Sequence, residues 1–387
     1  GKDDKLFILI SRPYNGCDEG VNLELPRKLA DIGVKVMPLD MLDLQSAPIG
    51  DEALHRHVYW TYGQKILRSA EIIKSDPRLF AIYLSNFSCG PDSFIQTFFK
   101  DIMGEKPCLQ LEIDEHSADA GVITRLEAFM ESLKNYTPQK AADQGPPQKV
   151  STGDVIGSNR TLYIPYMGDS SYGLAACFRG YGQPAEVIPL ADEQALQKGR
   201  AYTTGKECLP CAITTGDMLK VMEREDFDPD RAAFFMPSSS GPCRFGMYNC
   251  IHRLVLGYVG EPEIPVVAPN QDSKFYRDMG KSVEGAGQTR LMKDMWAAVV
   301  GIDLLHKLIL KVRPFATDRQ AAQRLYDSCL KRWQVKLEQR PGLDELAGLM
   351  EQFAGEFERL ELDYQAEKPR IGIVGEIYVR SHPFANH

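Results

Sequence analysis

The 387-residue sequence lacks the marks of several protein classes. It has no apolar run approaching the roughly 20 residues that a membrane-spanning helix needs, so no membrane partner is expected. It has no long basic block, and its formal net charge is -8, which argues against nucleic acid or an anionic membrane surface as a partner. Its first residues contain neither a basic start nor an apolar signal core, so we expect a cytoplasmic protein.

The sequence also lacks an initiating methionine, a P-loop, a GxGxxG element at a strand–helix junction and an HExxH motif. We therefore expect a trimmed chain or a piece of a longer polypeptide, with no nucleotide site within it. Hydrophobic residues make up 43% of the chain and charged residues 25%, which is the ordinary balance of a globular protein that can bury a core.

Short apolar runs alternate with segments of helical periodicity, which predicts an α/β fold. The predicted strands of a first lobe are at residues 6–10, 34–38, 79–84 and 107–111. Those of a second lobe are at residues 161–165, 185–189, 232–237 and 264–268. Later segments have the spacing of long amphipathic helices. We predict two Rossmann/flavodoxin-like lobes with mostly parallel sheets, plus a C-terminal helical segment.

Changes in composition predict the domain boundaries. The predicted parts are a first α/β lobe at 1–136, a linker at 137–159, a second α/β lobe at 160–287 and a helical region at 288–387. The linker is rich in Pro, Gly, Gln, Ser and Thr and has no apolar periodicity. Residues 370–375 are predicted to form a last strand that returns to one of the sheets, which would bring Glu376, Tyr378, Arg380 and His382 near a site.

Nine cysteines are present, which is an odd number, and disulfides are rare in a reducing compartment. Cys208 and Cys211 form a CxxC, whose spacing lets two thiolates face one metal ion or cluster from a tight turn. Taken alone, this motif is also typical of a redox dithiol, of half a zinc site or of chance.

Two further cysteines occupy matching positions. Cys89 lies in a Gly/Pro turn between the strand at 79–84 and a helical segment, and Cys243 lies in a similar turn after the strand at 232–237. Because ligands bind beyond the carboxyl ends of parallel strands, we expect the two lobes to present these cysteines to a shared cleft. Such turns expose backbone N–H groups, which suit an anionic cluster.

Sulfur-rich ligation selects iron–sulfur or zinc over magnesium or calcium. The candidate ligands Cys89, Cys208, Cys211 and Cys243 are scattered as one, two and one along the chain, whereas a structural zinc site usually has two close pairs. We therefore favour an iron–sulfur cluster, and zinc, a redox dithiol and the absence of a metal stay open as alternatives.

Several side chains near the predicted strand ends are further candidates. Arg12 and Tyr14 follow the first strand and are suited to binding an anion or a substrate. His116 and its carboxylate neighbours are suited to proton transfer, but helix capping and solvated surface charge are the favoured explanation. The hydroxyl residues Thr214, Thr215 and Ser238–Ser240 are candidates for hydrogen bonds to cluster sulfurs, or are ordinary turn residues.

Six segments together resemble a known family. They are SRPYN at 11–15, NLELPRK at 22–28, CGPDSF at 89–94, EIDEH at 112–116, CLPC at 208–211 and GPCRFG at 241–246. The chain resembles the large acyl-CoA dehydratase activase-related proteins, in the region similar to the subunits of 2-hydroxyacyl-CoA dehydratases and benzoyl-CoA reductases. This resemblance extends over nearly the whole chain.

The resemblance implies an oxygen-sensitive iron–sulfur protein of anaerobes, to which an ATP-dependent activase, separate or fused in a longer chain, delivers low-potential electrons. It implies Cys89, Cys208, Cys211 and Cys243 as ligands of a 4Fe-4S cluster, or of a larger double-cubane 8Fe-9S cluster, and it is compatible with a homodimer. The expected function is an iron–sulfur oxidoreductase or electron-transfer module. The alternatives are an acyl-CoA dehydratase or reductase subunit with an open cluster iron, and a zinc-stabilised or metal-free scaffold.

Overall fold

The computed structural model describes residues 5–47, 50–137, 155–269, 288–364, 368–369 and 371–386. The chain divides into two compact units. The first unit consists of Gly1–Lys149, Thr204–Glu207 and Ser240–Cys250, and the second of Val150–Thr203, Cys208–Ser239 and Ile251–His387. Most of the predicted linker, at 138–154, and the end of the predicted second lobe, at 270–287, lie outside the described residues.

The first unit is built on a parallel sheet of four strands. These are β1 (Leu6–Ile10), β2 (Val36–Pro38), β3 (Leu79–Asn86) and β4 (Cys108–Ile113), in the order β2-β1-β3-β4. Its helices are α1 (Pro13–Gly16), α2 (Leu25–Asp31), α3 (Glu52–His57), α4 (Thr61–Ser75), α5 (Asp92–Met103) and α6 (Asp119–Ser132). In the sheet, Ile8 of β1 pairs with Ala81 of β3. Both residues are fully buried, as expected for apolar strands that are covered on both faces.

The second unit repeats this sheet. Its strands are β5 (Thr161–Ile164), β6 (Ala185–Val187), β7 (Ala232–Phe235) and β8 (Val266–Val267), in the parallel order β6-β5-β7-β8. The helices among these strands are α7 (Ser170–Gly180), α8 (Glu193–Ala201), α9 (Leu209–Met222) and α10 (Tyr248–Tyr258). The strand order matches that of the first sheet, which confirms the prediction of two α/β lobes with parallel sheets.

Long helices follow the second sheet, as predicted. They are α11 (Gln288–Val312), α12 (Arg319–Glu338) and α13 (Leu343–Glu358). A short helix that was not predicted, α14 (Ile377–Ser381), follows them. Their core contains Leu305, Trp333 and Phe353, which pack with Ala176 of α7. The helical region therefore shares one apolar core with the second α/β lobe.

The predicted last strand at 370–375 is wrong for the residues that are described, 371–375, which have no regular secondary structure. Ile371 is 80% exposed and Val374 is 97% exposed. The apolar spacing of this segment is typical of a buried strand, but its side chains are not covered by a second layer. A strand also needs a neighbouring strand for its backbone hydrogen bonds, and sequence spacing alone does not supply one.

Among the described residues, none of the helices combines the length and the apolar character that crossing a bilayer requires.

Candidate metal centre

Cys89 lies in the turn that connects β3 to α5. Ser88 has a positive φ of 57° there, and the Cys89 amide donates to the Asn86 carbonyl at 3.1 Å. The Ser93 amide donates to the Cys89 carbonyl at 3.0 Å, which attaches the cysteine to the first turn of α5. The side chain of Cys89 is half-buried. The first unit therefore holds a partly accessible thiol at the carboxyl end of a sheet strand.

Charged and phenolic groups surround this thiol. Arg12 Nε donates to Asp92 Oδ1 at 3.2 Å, and the Tyr83 hydroxyl donates to the same oxygen at 3.3 Å. The Tyr14 hydroxyl oxygen lies 4.0 Å from Cys89 Sγ. Burial raises the pKa of the Cys89 thiol and the Asp92 carboxylate raises it further, whereas the Asp92 backbone N–H and Arg12 lower it. Because the Asp92 carboxylate is already engaged, the donor that this turn offers to a metal is sulfur.

Cys243 lies in the loop that follows β7, directly before a short 3-10 turn. The Tyr59 hydroxyl donates to the Cys243 carbonyl, and Trp60 Nε1 donates to the Gly241 carbonyl at 3.1 Å. Burial raises the pKa of Tyr59 to about 12, and the charge interaction with the Cys243 thiol is a smaller contribution in the same direction. This phenol therefore stays a protonated donor at neutral pH. The Cys243 loop is thereby fastened to the segment that precedes α4, within the first unit.

The two cysteine turns of the first unit pack against each other. A Cβ atom on Gly90 would stand 3.6 Å from Arg244 Cδ, and Arg244 Nη1 donates to Ser93 Oγ at 3.3 Å. The rings of Phe94 and Tyr248 are stacked, with centroids 5.9 Å apart. Gly90 and Arg244 each directly follow a candidate cysteine. These contacts bring two candidate ligands into one neighbourhood of one unit, whereas the sequence pattern predicts them in different lobes.

The segment that precedes the CxxC also belongs to the first unit. Lys206 Nζ donates to Gln96 Oε1 at 2.9 Å and forms an ion pair with Glu112. Thr97 Oγ1 donates to Glu207 Oε1 at 2.9 Å. These bonds attach the segment to α5 and to the end of β4, and the next residue in the chain is the first cysteine of the CxxC.

In the second unit, Cys208 and Cys211 lie at the beginning of α9. Cys208 directly precedes the helix, and Pro210 occupies its first turn, where the missing N–H of proline leaves no hydrogen bond unmade. The Cys211 amide donates to the Cys208 carbonyl at 2.9 Å. Cys208 is half-buried and Cys211 is buried. The CxxC thus forms a single turn whose thiols lie at the positive end of a 14-residue helix.

The threonines after the CxxC bond to the helix backbone. The hydroxyls of Thr214 and Thr215 donate to the carbonyls of Pro210 and Cys211, each at 2.8 Å. Thr214 Oγ1 also lies 3.2 Å from Nε2 of the buried His252, whose pKa is lowered by burial to about 3. These bonds agree with a structural role for the two threonines and not with hydrogen bonds to sulfur.

The five remaining cysteines have other surroundings, and one of them, Cys108, is the first residue of β4. Cys17 is exposed at the end of α1. Cys250 is buried in α10, where its Sγ donates to Asn249 Oδ1 at 3.6 Å. Cys177 and Cys329 pack in the core that α7 shares with the C-terminal helices, as small apolar side chains do.

His116 lies in an exposed turn after β4. Within the described ranges, the group of three metal-type side chains whose ligand atoms lie within 4.8 Å of one another is Asp114, Glu115 and His116. Asp114 Oδ1 accepts from the His116 amide at 2.9 Å and from Ser117 Oγ at 3.0 Å, so this carboxylate closes the turn. The 4.8 Å limit applies to side chains that bind one metal ion. The thiolates of an iron–sulfur cluster bind different iron atoms, so their sulfur atoms lie farther apart than this.

We compared the chain with protein-family models, with curated proteins and with solved structures, and nothing matched in any of the three.

Three residues beside the candidate cysteines were missed in the sequence analysis. Tyr59 and Trp60 hold the Cys243 loop, and Lys206 holds the segment before the CxxC. Two adjacent aromatic residues before a helix are an ordinary surface pattern, and they gave no sign of a distant partner. The charge of Lys206 next to the motif was the one local signal.

Proposed function

We propose that Cys89, Cys208, Cys211 and Cys243 ligate an iron–sulfur cluster, a 4Fe-4S cluster in the first place and a double-cubane 8Fe-9S cluster as the alternative. We further propose an electron-transfer or oxidoreductase module of the 2-hydroxyacyl-CoA dehydratase-like superfamily. Such a module accepts low-potential electrons from an ATP-dependent activase and passes them on or reduces a small molecule.

The observation that carries this proposal is the packing of Arg244 against Gly90 and Ser93 within the first unit. Through it, two cysteines that are about 150 residues apart in the sequence come from neighbouring turns. Two cysteines without a common role would not be expected in turns that pack against each other. The bond network of Lys206 supports the same reading, because it fastens the residue that lies two positions before the CxxC to the helix that follows Cys89.

The donor chemistry also supports a cluster. The four side chains are thiols, the soft ligands that iron–sulfur clusters take, and the Asp92 backbone N–H points at Cys89 Sγ, as N–H groups do around cluster sulfurs. When bound, such a cluster takes up and releases single electrons. The chain's own part is to hold the thiolates and to place an N–H donor and Arg12 beside the charge.

A subunit with an open cluster iron is the second candidate, and Tyr14 favours it. Its hydroxyl lies 4.0 Å from Cys89 Sγ, and its side chain is 48% exposed. A phenol in this position could donate a proton or a hydrogen bond to a substrate beside the thiol. Four thiol ligands favour electron transfer, whereas three with one open iron favour acyl-CoA chemistry.

The test is anaerobic purification, followed by iron, sulfide and zinc analysis and by electron paramagnetic resonance of the reduced protein. We expect about four iron and four sulfide per chain for a 4Fe-4S cluster, or about eight and nine for a double cubane. A colourless anaerobic preparation that contains zinc, or no metal, would overturn the proposal in favour of the scaffold alternative.

The electron-transfer step needs its own experiment. Addition of activase that has first been reduced by dithionite should transfer an electron to the cluster in the presence of ATP, and addition with ADP should not. Turnover of a 2-hydroxyacyl-CoA under the same conditions would favour the second candidate, whereas reduction without turnover would favour the electron-transfer module.

A further inference from the structure

A cavity of about 510 Å³ lies in the second unit, and none of the four candidate cysteines lines it. Its walls come from the turn after β5, from the first turn of α7, from α11 and from α12, with Pro383 at one side. This places it at the carboxyl end of a parallel strand, the position where α/β sheets bind ligands. Its volume is within the usual range for small-molecule sites. We call it the tyrosine cavity, after Tyr166, Tyr172 and Tyr326 in its wall.

One end of the tyrosine cavity is negative and aromatic. Asp169 Oδ1 accepts from the Tyr166 hydroxyl at 2.8 Å, and Asp169 Oδ2 accepts from the Tyr326 hydroxyl. The rings of Tyr166 and Tyr172 have centroids 5.9 Å apart. Each carboxylate oxygen keeps acceptor capacity beyond these bonds. A carboxylate among tyrosine rings is the environment that attracts an ammonium group, through charge and cation–π attraction.

The other end carries the guanidinium of Arg313, and the carboxylate of Asp327 also lines the cavity there. Arg313 Nη1 donates to Gln323 Oε1 at 3.0 Å, and Gln323 Nε2 donates in turn to Asp327 Oδ1 at 3.0 Å. Within the described part of the chain, Arg313 has no carboxylate partner at ion-pair distance, because the amide of Gln323 stands between it and Asp327. A guanidinium has five N–H donors in a fork that fits a carboxylate. Most of these donors remain available at Arg313.

The two ends are close together. Gln323, which contacts Arg313, and Tyr326, which contacts Asp169, are three residues apart on α12. Three residues of helix rise by about 4.5 Å. Opposite charges therefore line one wall of a cavity within the length of a small molecule.

We propose that the tyrosine cavity binds a small zwitterion, a molecule with an ammonium group and a carboxylate a few bonds apart. The ammonium group lies at Asp169 among the tyrosine rings, and the carboxylate lies on Arg313. The remaining volume is lined by Ile309 and Leu330 and accepts an apolar substituent. This site is independent of the proposed cluster, and neither depends on the other.

The experiment uses three probes of nearly the same shape. Glycine betaine has both charges, choline lacks the carboxylate, and 3,3-dimethylbutanoate replaces the ammonium nitrogen by carbon. All three give a methyl singlet, so ligand-observed NMR with the 387-residue chain measures them identically. We expect glycine betaine to bind with a Kd on the order of 1 mM. Each single-charge probe should bind about tenfold more weakly.

Two variants test the assigned residues. Arg313→Gln should lower the affinity for glycine betaine about tenfold and leave choline binding unchanged. Arg324→Gln is the matched control, because it removes an exposed guanidinium of α12 that pairs with Asp318 instead, and it should change neither affinity. Thermal unfolding of both variants checks that they fold.

Three results would overturn the assignment. One is the absence of saturable glycine betaine binding. Another is equal affinity for glycine betaine and either single-charge probe. The third is an Arg313→Gln variant that binds glycine betaine as tightly as the unchanged chain does.

Discussion

Gly199 of α8 and Gly216 of α9 face each other so closely that a Cβ atom on either residue would stand 3.0 Å from the backbone nitrogen of the other. A Cβ on Gly216 would also lie 1.7 Å from the Ala195 carbonyl oxygen. These neighbours are backbone atoms, which cannot rotate away. The close crossing of the two helices therefore requires glycine at both positions, and it fixes the course of the helix that begins with the CxxC.

Gly216→Ala should lower the free energy of unfolding by about 2 kcal/mol or more, because the methyl group forces the two helices apart. Urea unfolding measures the change. Gly348→Ala is the control: it lies within α13 with nothing within 4 Å of its Cβ position. The alanine there should stabilise the protein by about 0.5 to 1 kcal/mol through its helix propensity. Equal stability of the two variants would contradict the close packing.

Arg12→Met should destabilise the protein by about 2 kcal/mol, because it leaves the buried carboxylate of Asp92 with the Tyr83 hydroxyl but without its cation. Arg27→Met removes an exposed guanidinium that pairs with Glu24 on the surface, and it should cost about 0.5 kcal/mol or less. Unfolding free energies of both variants, measured side by side, check the difference. Equal losses would show that burial of Asp92 does not depend on Arg12.

Cys89→Ser and Cys243→Ser should each lose most of the iron that the anaerobically purified chain carries, because an oxygen ligand holds an iron–sulfur cluster poorly. Cys17→Ser is the matched control in the same unit, since this thiol lies at the end of α1 and is not one of the proposed ligands, although it is as exposed as Cys243. It should keep the full iron content. Iron content per chain, with circular dichroism as a check of folding, measures the effect. Loss of iron in the control, or retention in both other variants, would contradict the proposed ligand set.

The pH dependence of stability should carry the signature of Asp217. Burial raises the pKa of this carboxyl from 3.8 to about 7, against a lowering by Lys220, with Asp192 raising it further. Between pH 3.8 and about pH 7, the folded state therefore keeps a proton on Asp217 that the unfolded state has lost. The stability that this group contributes is fully present below pH 3.8 and is lost as the pH rises through about 7.

Asp217→Asn lacks this titration. The unfolding free energy of the variant relative to the unchanged chain should rise between pH 4 and pH 7 by up to about 4 kcal/mol and then level off. Denaturant unfolding across this range measures it. His252 titrates in both proteins and so cancels in the difference. If the difference in unfolding free energy were constant with pH, the pKa of Asp217 would not be raised in the folded protein.

Local patterns predicted much of this fold. The continuous apolar runs at 6–10 and 79–84 became the buried parallel strands β1 and β3, because a strand that is covered on both faces must be apolar throughout. The three long helices after residue 288 followed from their apolar spacing and from the prolines between them. The prediction of a strand at 370–375 was wrong for the same physical reason. The apolar pattern is typical of a buried strand, but no other layer of the structure covers residues 371–375.

The sequence by itself determined the eight strands of the two sheets and the three long helices, and it placed Cys89 and Cys243 in turns after strands. Only the tertiary structure decided that the Cys243 loop belongs with the first unit, where Tyr59, Trp60 and Arg244 hold it. Only it placed Asp169 and Arg313 in the wall of one cavity. The physical reason is that periodicity tells which side chains avoid water, whereas the partner that each one meets depends on contacts between residues far apart in the chain.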